Sequence, residues 1–544
     1  MRASLNLLAA AAVVVACGVR SVEAEEWQAT AGGFWSDVNN WLPQSVPNAV
    51  GATAEFTNPT TGVDFVTIDG QFTVGTLLFD LTGSTGNNDH RLIEDTFFPG
   101  GTLTLDDADS QASITVQGTG IPNVDLSIPL ILNDNVVMDV ATLTAQSAAG
   151  ALSIDGTISG SGGVTKTGVG TLTYITGAKT YTGPTEFQAG KVRLRGNIGV
   201  PTASSSVRIL DGAWIEPSSG LTNLQFGAGT LFLNGDGATD TFSAPGGAIR
   251  PERSTTSGAV LTIPNNIVLE TNSSLHLQTQ NDTTLGSMTL SGIISGPGQL
   301  QLTHFAHNEQ IGSYILTNDN SYTGGTELRA GTLRLSGATA DLGTGDVNIL
   351  DGRFLADRVT VINGAATSRL LIESGVTNAI ADDATLTLGG GFVVANKAGF
   401  AELGAGISET VGGLILGATA QTLAGTYGAT GSGATFIFDE FFTGTGVINL
   451  VLPPADDADF DGDGDVDGAD FLTWQQGLGL TGAAATNAAG NANGDSVIDG
   501  ADLTVWRNSF GQPAIAAVGA VPEPGAVLLA LLAAPLGLLA RRRR

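Results

Sequence analysis

Asp459, Asp461, Asp463, Asp467 and Asp470 occupy positions 1, 3, 5, 9 and 12 of a twelve-residue stretch, with Gly464 at position 6. Hard divalent cations take about six to eight oxygen ligands, and a loop with this spacing wraps them around one ion while its sixth residue makes a sharp turn. The chemistry implied is calcium binding. Asp459, Asp461 and Asp463 are expected to bind through carboxylates, Asp465 through its backbone carbonyl, Asp467 through a water, and Asp470 to close the shell. Position 12 is aspartate where glutamate is usual. So many carboxylates in so small a volume repel one another without a cation, so the loop alone is expected to be largely disordered. A second copy runs through Asn491, Asn493, Asp495, Val497 (carbonyl), Asp499 and Asp502. It carries fewer charges, and Ser496 replaces the turn glycine. One strong and one weaker Ca2+ site are therefore expected.

The elements that position these loops are legible beside them. Phe471, Trp474 and Leu478 follow the first loop at i, i+3, i+7, and Leu503, Trp506 and Phe510 follow the second at the same spacing. That periodicity marks one apolar face of a short helix. Two such faces are expected to bury against each other over residues 453–513, after the stiff Pro453-Pro454 linker. Two loop–helix units in tandem resemble a type I dockerin. The resemblance implies a cohesin-like partner that reads loop positions 10 and 11, here Gly468-Ala469 and Gly500-Ala501. These residues are smaller than the hydroxyl residues common there.

The middle of the chain alternates. Gly170-Thr-Leu172-Thr-Tyr174, Gly229-Thr-Leu231-Phe-Leu233, Gly298-Gln-Leu300-Gln-Leu302 and Gly331-Thr-Leu333-Arg-Leu335 place apolar residues at every second position, as does Ala384-Thr-Leu386-Thr-Leu388. Period two puts the leucines on one face of a strand, and the glycines supply turns. A longer duplication overlies this pattern. Tyr181–Gly196 matches Tyr322–Gly337, Val207–Gly212 matches Val347–Gly352, and Ile158–Gly160 matches Ile294–Gly296, at separations of 141, 140 and 136 residues. Repetition on two scales is what stacked coils produce, because neighbours together bury faces that none buries alone. The fold expected is mostly β: a right-handed parallel β-solenoid (β-helix), with a cap and first coils over 25–126 and the duplicated unit of about 140 residues over 127–452. A small α-helical dockerin-like domain and a C-terminal transmembrane sorting helix follow. A β-sandwich is the alternative.

Gly163-Val-Thr-Lys-Thr-Gly-Val-Gly-Thr-Leu-Thr with Lys179-Thr-Tyr-Thr-Gly-Pro-Thr, and Ser321-Tyr-Thr-Gly-Gly-Thr-Glu-Leu-Arg-Ala-Gly-Thr-Leu-Arg-Leu, resemble the autotransporter-associated β-strand repeat. Phe34-Trp35-Ser-Asp-Val-Asn-Asn-Trp41 is similar to the start of such passenger regions, and Gly425–Ala434 with Phe442–Val447 to their finish. The resemblance implies a surface-exposed β-helix, structural or adhesive more often than enzymatic.

Both ends carry targeting features. Arg2 precedes the apolar stretch Leu7–Val15, and Val22-Glu23-Ala24 offers a small-residue cleavage site, so residues 1–24 read as a secretory signal peptide. Val14-Val15-Ala16-Cys17 is the lipoprotein alternative. Cys17 is the only cysteine, so cleavage leaves no disulfide. Residues 514–544 contain Pro522-Glu523-Pro524, an apolar run from Gly525 to Ala540 and four arginines, Arg541–Arg544. Sixteen helical residues span only ~24 Å of a ~30 Å hydrocarbon core. This tail resembles the PEP-CTERM sorting signal. It implies transient inner-membrane association, cleavage near the Pro-Glu-Pro by an exosortase-type enzyme, and release to the envelope surface or matrix. A permanent tail anchor is the alternative.

Charged residues are 14% of the chain against roughly 25% ordinarily. A formal net charge of −30 argues against a nucleic-acid partner, since no basic field displaces counterions from phosphate. The function expected is a secreted, non-enzymatic surface or matrix protein with a calcium-dependent docking module. The partner is a cohesin-like protein or an envelope polysaccharide. The alternative is a polysaccharide-active hydrolase or lyase carried on the solenoid. A lyase needs a basic residue, and the lysines between 127 and 452 are Lys166, Lys179, Lys191 and Lys397, scattered. A hydrolase needs two carboxylates ~5–9 Å apart; Asp211-Gly212 and Asp351-Gly352 read instead as turn residues of the repeat. His304 and His307 lie three apart, so on a strand they face opposite sides and make no metal pair. Trp35 and Trp41 read as a cap on the first coil more than as a sugar platform. No cofactor-binding or catalytic motif stands out.

Overall fold

The computed structural model describes residues 24–511, apart from 31, 59–62, 83–88, 98, 109–110, 119–122, 142–151, 196–200, 219, 228, 238–245, 253–259, 280–285, 307–311, 351–367, 391–398 and 453–456. The chain divides into two compact units between Leu450 and Val451.

The first unit is built from parallel strands that pair with the strand one coil later, not with the next strand in sequence. Thr53–Phe56, Thr76–Asp80, Gln111–Gln117, Asn135–Val140, Val164–Thr167, Thr185–Phe187, Val207–Leu210, Leu231–Asn234, Ile267–Leu269 and Ile294–Ser295 form one face. A second face runs from Asp64–Ile68 through Asp89–Glu94, Asn123–Ser127, Leu152–Ile154 and Thr171–Tyr174 to Gly190–Leu194 and Ala213–Pro217. The bridges Ile215↔Ile249 and Ile249↔Leu275 carry it on to Ser273–Thr279 and beyond. The third face begins at Gln71–Val74, Thr102–Leu105, Leu130–Leu132 and Ile158–Gly160. It narrows to single bridges at Lys179 and Pro201, then broadens again from Val260–Ile263 onward. Three parallel faces stacked coil on coil are the arrangement of a β-helix.

Alternation explains why these segments are strands and which way they face. On the first face Ala54, Leu77, Ile114, Met138, Lys166, Phe187, Ile209, Leu233 and Leu269 stand in one register. All are buried. On the second, Val66, Leu92, Leu126, Ile154, Tyr174, Leu194 and Pro217 do the same. Each buried aliphatic rung stabilises the stack by roughly 1.5–3 kcal/mol relative to exposure. The residues between them, such as Ser113 and Thr115, face outward.

Two lysine side chains stand among these inward rungs and donate to the backbone. Lys166 Nζ donates to the carbonyls of Thr167 (2.8 Å), Gly168 (2.6 Å) and Ala189 (2.9 Å). Lys179 Nζ donates to the carbonyls of Gly156 (2.9 Å) and Gly177. In the second copy of the repeat Asn320 takes the place of Lys179, and its Nδ2 donates to Asn318 (2.9 Å) and Asp341 (2.8 Å) carbonyls.

The ends are closed by antiparallel strands, which block further coil addition. At the start Trp27 pairs with Trp41. Trp27, Trp35 and Trp41 are buried, with the Trp41 ring centroid 5.1 Å from that of Trp27 and 4.8 Å from that of Trp35. Trp27 Nε1 donates to Asp64 Oδ2 (2.9 Å) and Trp41 Nε1 to the Trp35 carbonyl (2.8 Å). At the far end Gly425–Gly428 runs antiparallel to Val447–Leu450. Helices α1 (Gly468–Gly477) and α2 (Gly500–Ser509) belong to the second unit.

The two copies of the repeat lie on different faces. Thr185–Phe187 and Gly190–Leu194 occupy the first and second faces, whereas their sequence equivalents Thr326–Leu328 and Gly331–Leu335 occupy the second and third. The duplication is therefore offset by one face around the stack.

Among the described residues no helix is long and apolar enough to cross a membrane. Residues 1–23, with Cys17, and the tail containing Pro522, Glu523, Pro524 and the run Gly525–Ala540 lie outside the described residues, as do Pro453-Pro454.

Candidate metal centre

In the second unit each loop leads into a helix through the same capping device. Asp467 caps α1 and accepts from Ala469 N at 2.7 Å, and Asp499 caps α2 and accepts from Ala501 N at 2.7 Å. Asp470 Oδ1 accepts from Phe460 N (2.6 Å) and Asp461 N (3.3 Å), and its Oδ2 from Asp467 N (2.8 Å). Asp502 repeats this with Ala492 N (2.8 Å), Asn493 N (3.2 Å) and Asp499 N (2.7 Å). Both carboxylates are fully buried. Such reciprocal caps satisfy the orphan N–H groups at a helix start. They tie each loop's twelfth residue to its first turn.

In the first loop Asp459, Asp461 and Asp463 each offer a carboxylate oxygen, all within 4.8 Å of one another. Asp459 Oδ1 accepts from Gly462 N (2.8 Å) and Asp463 N (3.1 Å), and its Oδ2 from Gly464 N (3.0 Å). Asp463 Oδ1 accepts from Asp465 N at 3.1 Å. Gly464 reaches this position with φ +99, a conformation costly for other residues. Desolvation, followed by the charges of Asp463, Asp470 and Asp459, holds the Asp461 carboxyl above its ordinary range. The charge of Asp463 does the same to Asp465. Converging anionic oxygens with no cationic side chain among them form a donor set suited to a hard divalent cation.

The second loop keeps part of this frame. Asn491 Oδ1 accepts from Gly494 N (2.9 Å), Asn493 Oδ1 from Asp495 N (3.0 Å) and Asp495 Oδ1 from Val497 N (2.8 Å). Gly462 and Gly494, at position 4 of each loop, share φ +72.

The core between the loops is Ala458, Phe460, Val466, Trp474, Ala492 and Ile498, with Phe471, Leu503 and Trp506 packed against it. Phe471 lies 5.6 Å from Trp474 and 5.1 Å from Trp506. At Gly477 a Cβ would lie 1.8 Å from the Ala489 carbonyl, so only glycine lets α1 pack on that turn. One expectation from periodicity fails. Leu478 and Phe510 do not join the buried face but are 53% and 55% exposed. They are the C-caps, with ψ 123 and 125, where the chain has left the helix and its 3.6-residue period no longer applies.

Sequence spacing alone did not indicate the exchange of contacts between the two repeats. Trp474 Nε1 donates to the Asp499 carbonyl and Trp506 Nε1 to the Asp467 carbonyl, both at 2.8 Å. Gly479 N donates to the Ile498 carbonyl and Gly511 N to the Val466 carbonyl, both at 2.9 Å. The shared 32-residue offset was the available signal. Gly468, Ala469, Gly500 and Ala501 are exposed in the first turns of α1 and α2, and a Cβ at either glycine would meet open space.

Other candidate residues fall elsewhere. Trp35 and Trp41 are buried in the cap, so their faces offer no sugar platform. Asp211 is exposed in a turn beside Gly212, at φ +89. Asp351, Gly352, His307, Lys397 and the side chain of His304 lie outside the described residues. Lys191 Nζ is 3.2 Å from Glu216 Oε2 and 4.5 Å from the Trp214 ring centre. Ala24 lies just before the first strand.

A family model described as the passenger-associated-transport-repeat matches residues 164–194 and 312–335. These are the strands that the duplication places one face apart. The adhesin BmaC autotransporter of Brucella suis biovar 1 (strain 1330) is 26% identical over 391 residues, 57% of this chain and 11% of the relative. The chain thus spans about a tenth of that protein's length. No solved structure matches the chain. In its repeats the chain is similar to autotransporter-type passengers.

Proposed function

We propose that this is an exported cell-surface or extracellular-matrix protein, structural or adhesive and not an enzyme, with a calcium-dependent docking module at its second unit. The observation that carries the reading is the parallel stack: inward rungs filled with apolar side chains, polar residues outward and both ends closed by antiparallel strands. The similarity to an adhesin of Brucella supports a surface role. The polysaccharide-active alternative loses two of its bases, since the Nζ groups of Lys166 and Lys179 are buried and held by backbone carbonyls.

In the second unit Asp459, Asp461, Asp463, Asp465, Asp467 and Asp470 hold Ca2+, which neutralises the converging carboxylates and fixes α1. The exposed pairs Gly468-Ala469 and Gly500-Ala501 face a cohesin-like protein or an envelope polysaccharide. Cleavage after Ala24 and near Pro522-Glu523-Pro524, by a signal peptidase and an exosortase-type enzyme, releases the chain after transient inner-membrane association.

Calorimetric titration of the chelator-stripped chain with Ca2+ tests the docking module; heat of binding with a gain of helix is expected, and a flat titration overturns it. Incubation with a polysaccharide panel tests the rest. Binding without turnover is expected, and turnover abolished by one carboxylate substitution overturns the non-enzymatic reading.

A further inference from the structure

The two loops differ at positions 1, 2, 3, 6, 7 and 8, and the differences at 1, 3 and 6 belong together. Position 1 is Asp459 in the first loop and Asn491 in the second. Asp459 presents two acceptor oxygens, and its Oδ2 takes the N–H of position 6, Gly464, at 3.0 Å. Asn491 has only one oxygen, which accepts from Gly494 N at 2.9 Å just as Asp459 Oδ1 accepts from Gly462 N at 2.8 Å. The other end of Asn491 is a donor, which cannot receive the N–H of Ser496 at position 6. The backbone differs accordingly. Gly464 has φ +99, while Ser496 keeps a negative φ, Asn378 being the one non-glycine at positive φ among the described residues.

Amide hydrogens fill the inside of the second loop. Asn491 Nδ2 donates to the Asp495 carbonyl and, at 2.9 Å, to the Ala485 carbonyl. Asn493 Nδ2 donates to Asp495 Oδ2 at 2.9 Å. Where the first loop has carboxylates at positions 1, 3 and 5, the second has one, Asp495, and the asparagine N–H groups bond to its oxygens. Asn491 is buried, so its amide is fixed in that role. Outside the loop Thr481 bridges Val497, and Gly482 N donates to the Ser496 carbonyl at 2.7 Å, pinning the strand that carries position 6.

We infer that the second loop is closed by its own asparagine amides and takes no divalent cation, so that the unit binds one Ca2+, at Asp459–Asp470, against a partner loop already folded. This rests on the calcium reading of the first loop. It replaces two graded sites with one metal site and one metal-free support. Removal of calcium then loosens Asp459–Gly477 while Asn491–Ser509 stays ordered through its amides and its Asp502 cap.

Ca2+ titration of the full chain by calorimetry, with three proteins, tests this. The wild type is expected to bind one ion, D461N/D463N none, and N491D/S496G two, because the double change restores the second acceptor and the turn. Two ions in the wild type, or one ion remaining in D461N/D463N, overturns the inference and leaves the calcium reading standing. No binding in the wild type overturns the calcium reading, and this inference with it. Hydrogen exchange on the wild type needs no variant. Chelator is expected to speed exchange across residues 459–477 by at least roughly tenfold and to leave 491–509 within about twofold; equal loss of protection in both repeats contradicts the inference.

Discussion

Trp474 reaches across the second unit to Asp499, its Nε1 donating to that residue's carbonyl at 2.8 Å. The acceptor belongs to the residue that caps α2, so one indole joins the helix of the first repeat to the loop of the second. Trp506 returns the contact to Asp467 at the same distance. The two loop–helix repeats are thus joined by hydrogen bonds as well as by an apolar core.

Replacing Trp474 with Phe keeps most of the packing and removes the shorter of the two hydrogen bonds to the Asp499 carbonyl, the other being from Leu503 N at 3.5 Å. A loss of about 0.5–1.5 kcal/mol is expected, the net worth of one partly buried hydrogen bond. Trp506 is more exposed, and W506F is expected to cost less. Scanning calorimetry of the full chain, following the transition of the second unit in each variant, checks this; equal stability of W474F and wild type contradicts the crossed arrangement.

Asp341 contributes to the pH dependence of the stack in the acid range. Burial first, with Asp319 nearby, pushes its carboxyl up from 3.8 to about 6, against the hydrogen bonds its Oδ1 accepts from Asn320 N (2.8 Å) and Gly343 N (3.1 Å). Burial likewise raises Glu409. A raised carboxylate makes the folded chain bind the proton before the unfolded one, so its contribution to stability improves as pH falls from about 6 to 4 and is least favourable above 6. Asp341→Asn keeps an acceptor oxygen and removes the charge. Thermal unfolding is expected to show D341N more stable than wild type by about 1 kcal/mol at pH 8, a figure discounted for solvent screening at a half-buried group, with the two converging near pH 4.

The interior lysines give a chemical test of the stack. Lys166 and Lys179 have no exposed surface, and burial lowers their pKa to about 7 and about 8. An amine-reactive ester at pH 8 is expected to label Lys191 while Lys166 and Lys179 react roughly a hundredfold more slowly, because reaction requires opening of the coil. Mass spectrometry of the native chain reads this directly. K166M, which leaves three carbonyls without the Nζ donor, is expected to cost about 1–3 kcal/mol.

The tryptophan cap protects the first coil. Trp41→Ala removes a buried ring that packs on Trp27 and Trp35 at 5.1 and 4.8 Å. A loss of about 3–5 kcal/mol is expected, together with concentration-dependent self-association through the uncovered strand edges. Light scattering over a concentration series detects the second effect.

How far these features could be read from the chain follows from what each depends on. The strands at Thr171–Tyr174, Leu231–Asn234, Leu300–Ala306, Gly331–Leu335 and Thr385–Gly390 are legible because alternation is local. The third face at Lys179 and Pro201 is not, since a single bridge leaves no alternation to see. Nor is the one-face offset between the two repeats. The Tyr-Thr-Gly-x-Thr motif encodes a corner and two strands, with Tyr181 bonded to Thr185 and Tyr322 to Thr326, and that device fits any pair of adjacent faces. The loop frame was legible from the spacing of its aspartates. The exposure of Leu478 and Phe510 was not, because a periodic pattern does not announce where its helix stops.

The most direct measurement of the parallel stack is paired-cysteine cross-linking in a background with Cys17 replaced. Ser113 stands opposite Val137 and Thr115 opposite Asp139, side chains outward on adjacent coils. Neighbouring strands lie ~4.8 Å apart, within reach of a disulfide. S113C/V137C and T115C/D139C are predicted to oxidise to intramolecular disulfides, and S113C/D139C and T115C/V137C to stay largely reduced. Preferential oxidation of the second two pairs would mean antiparallel strands and would contradict the stacked-coil account.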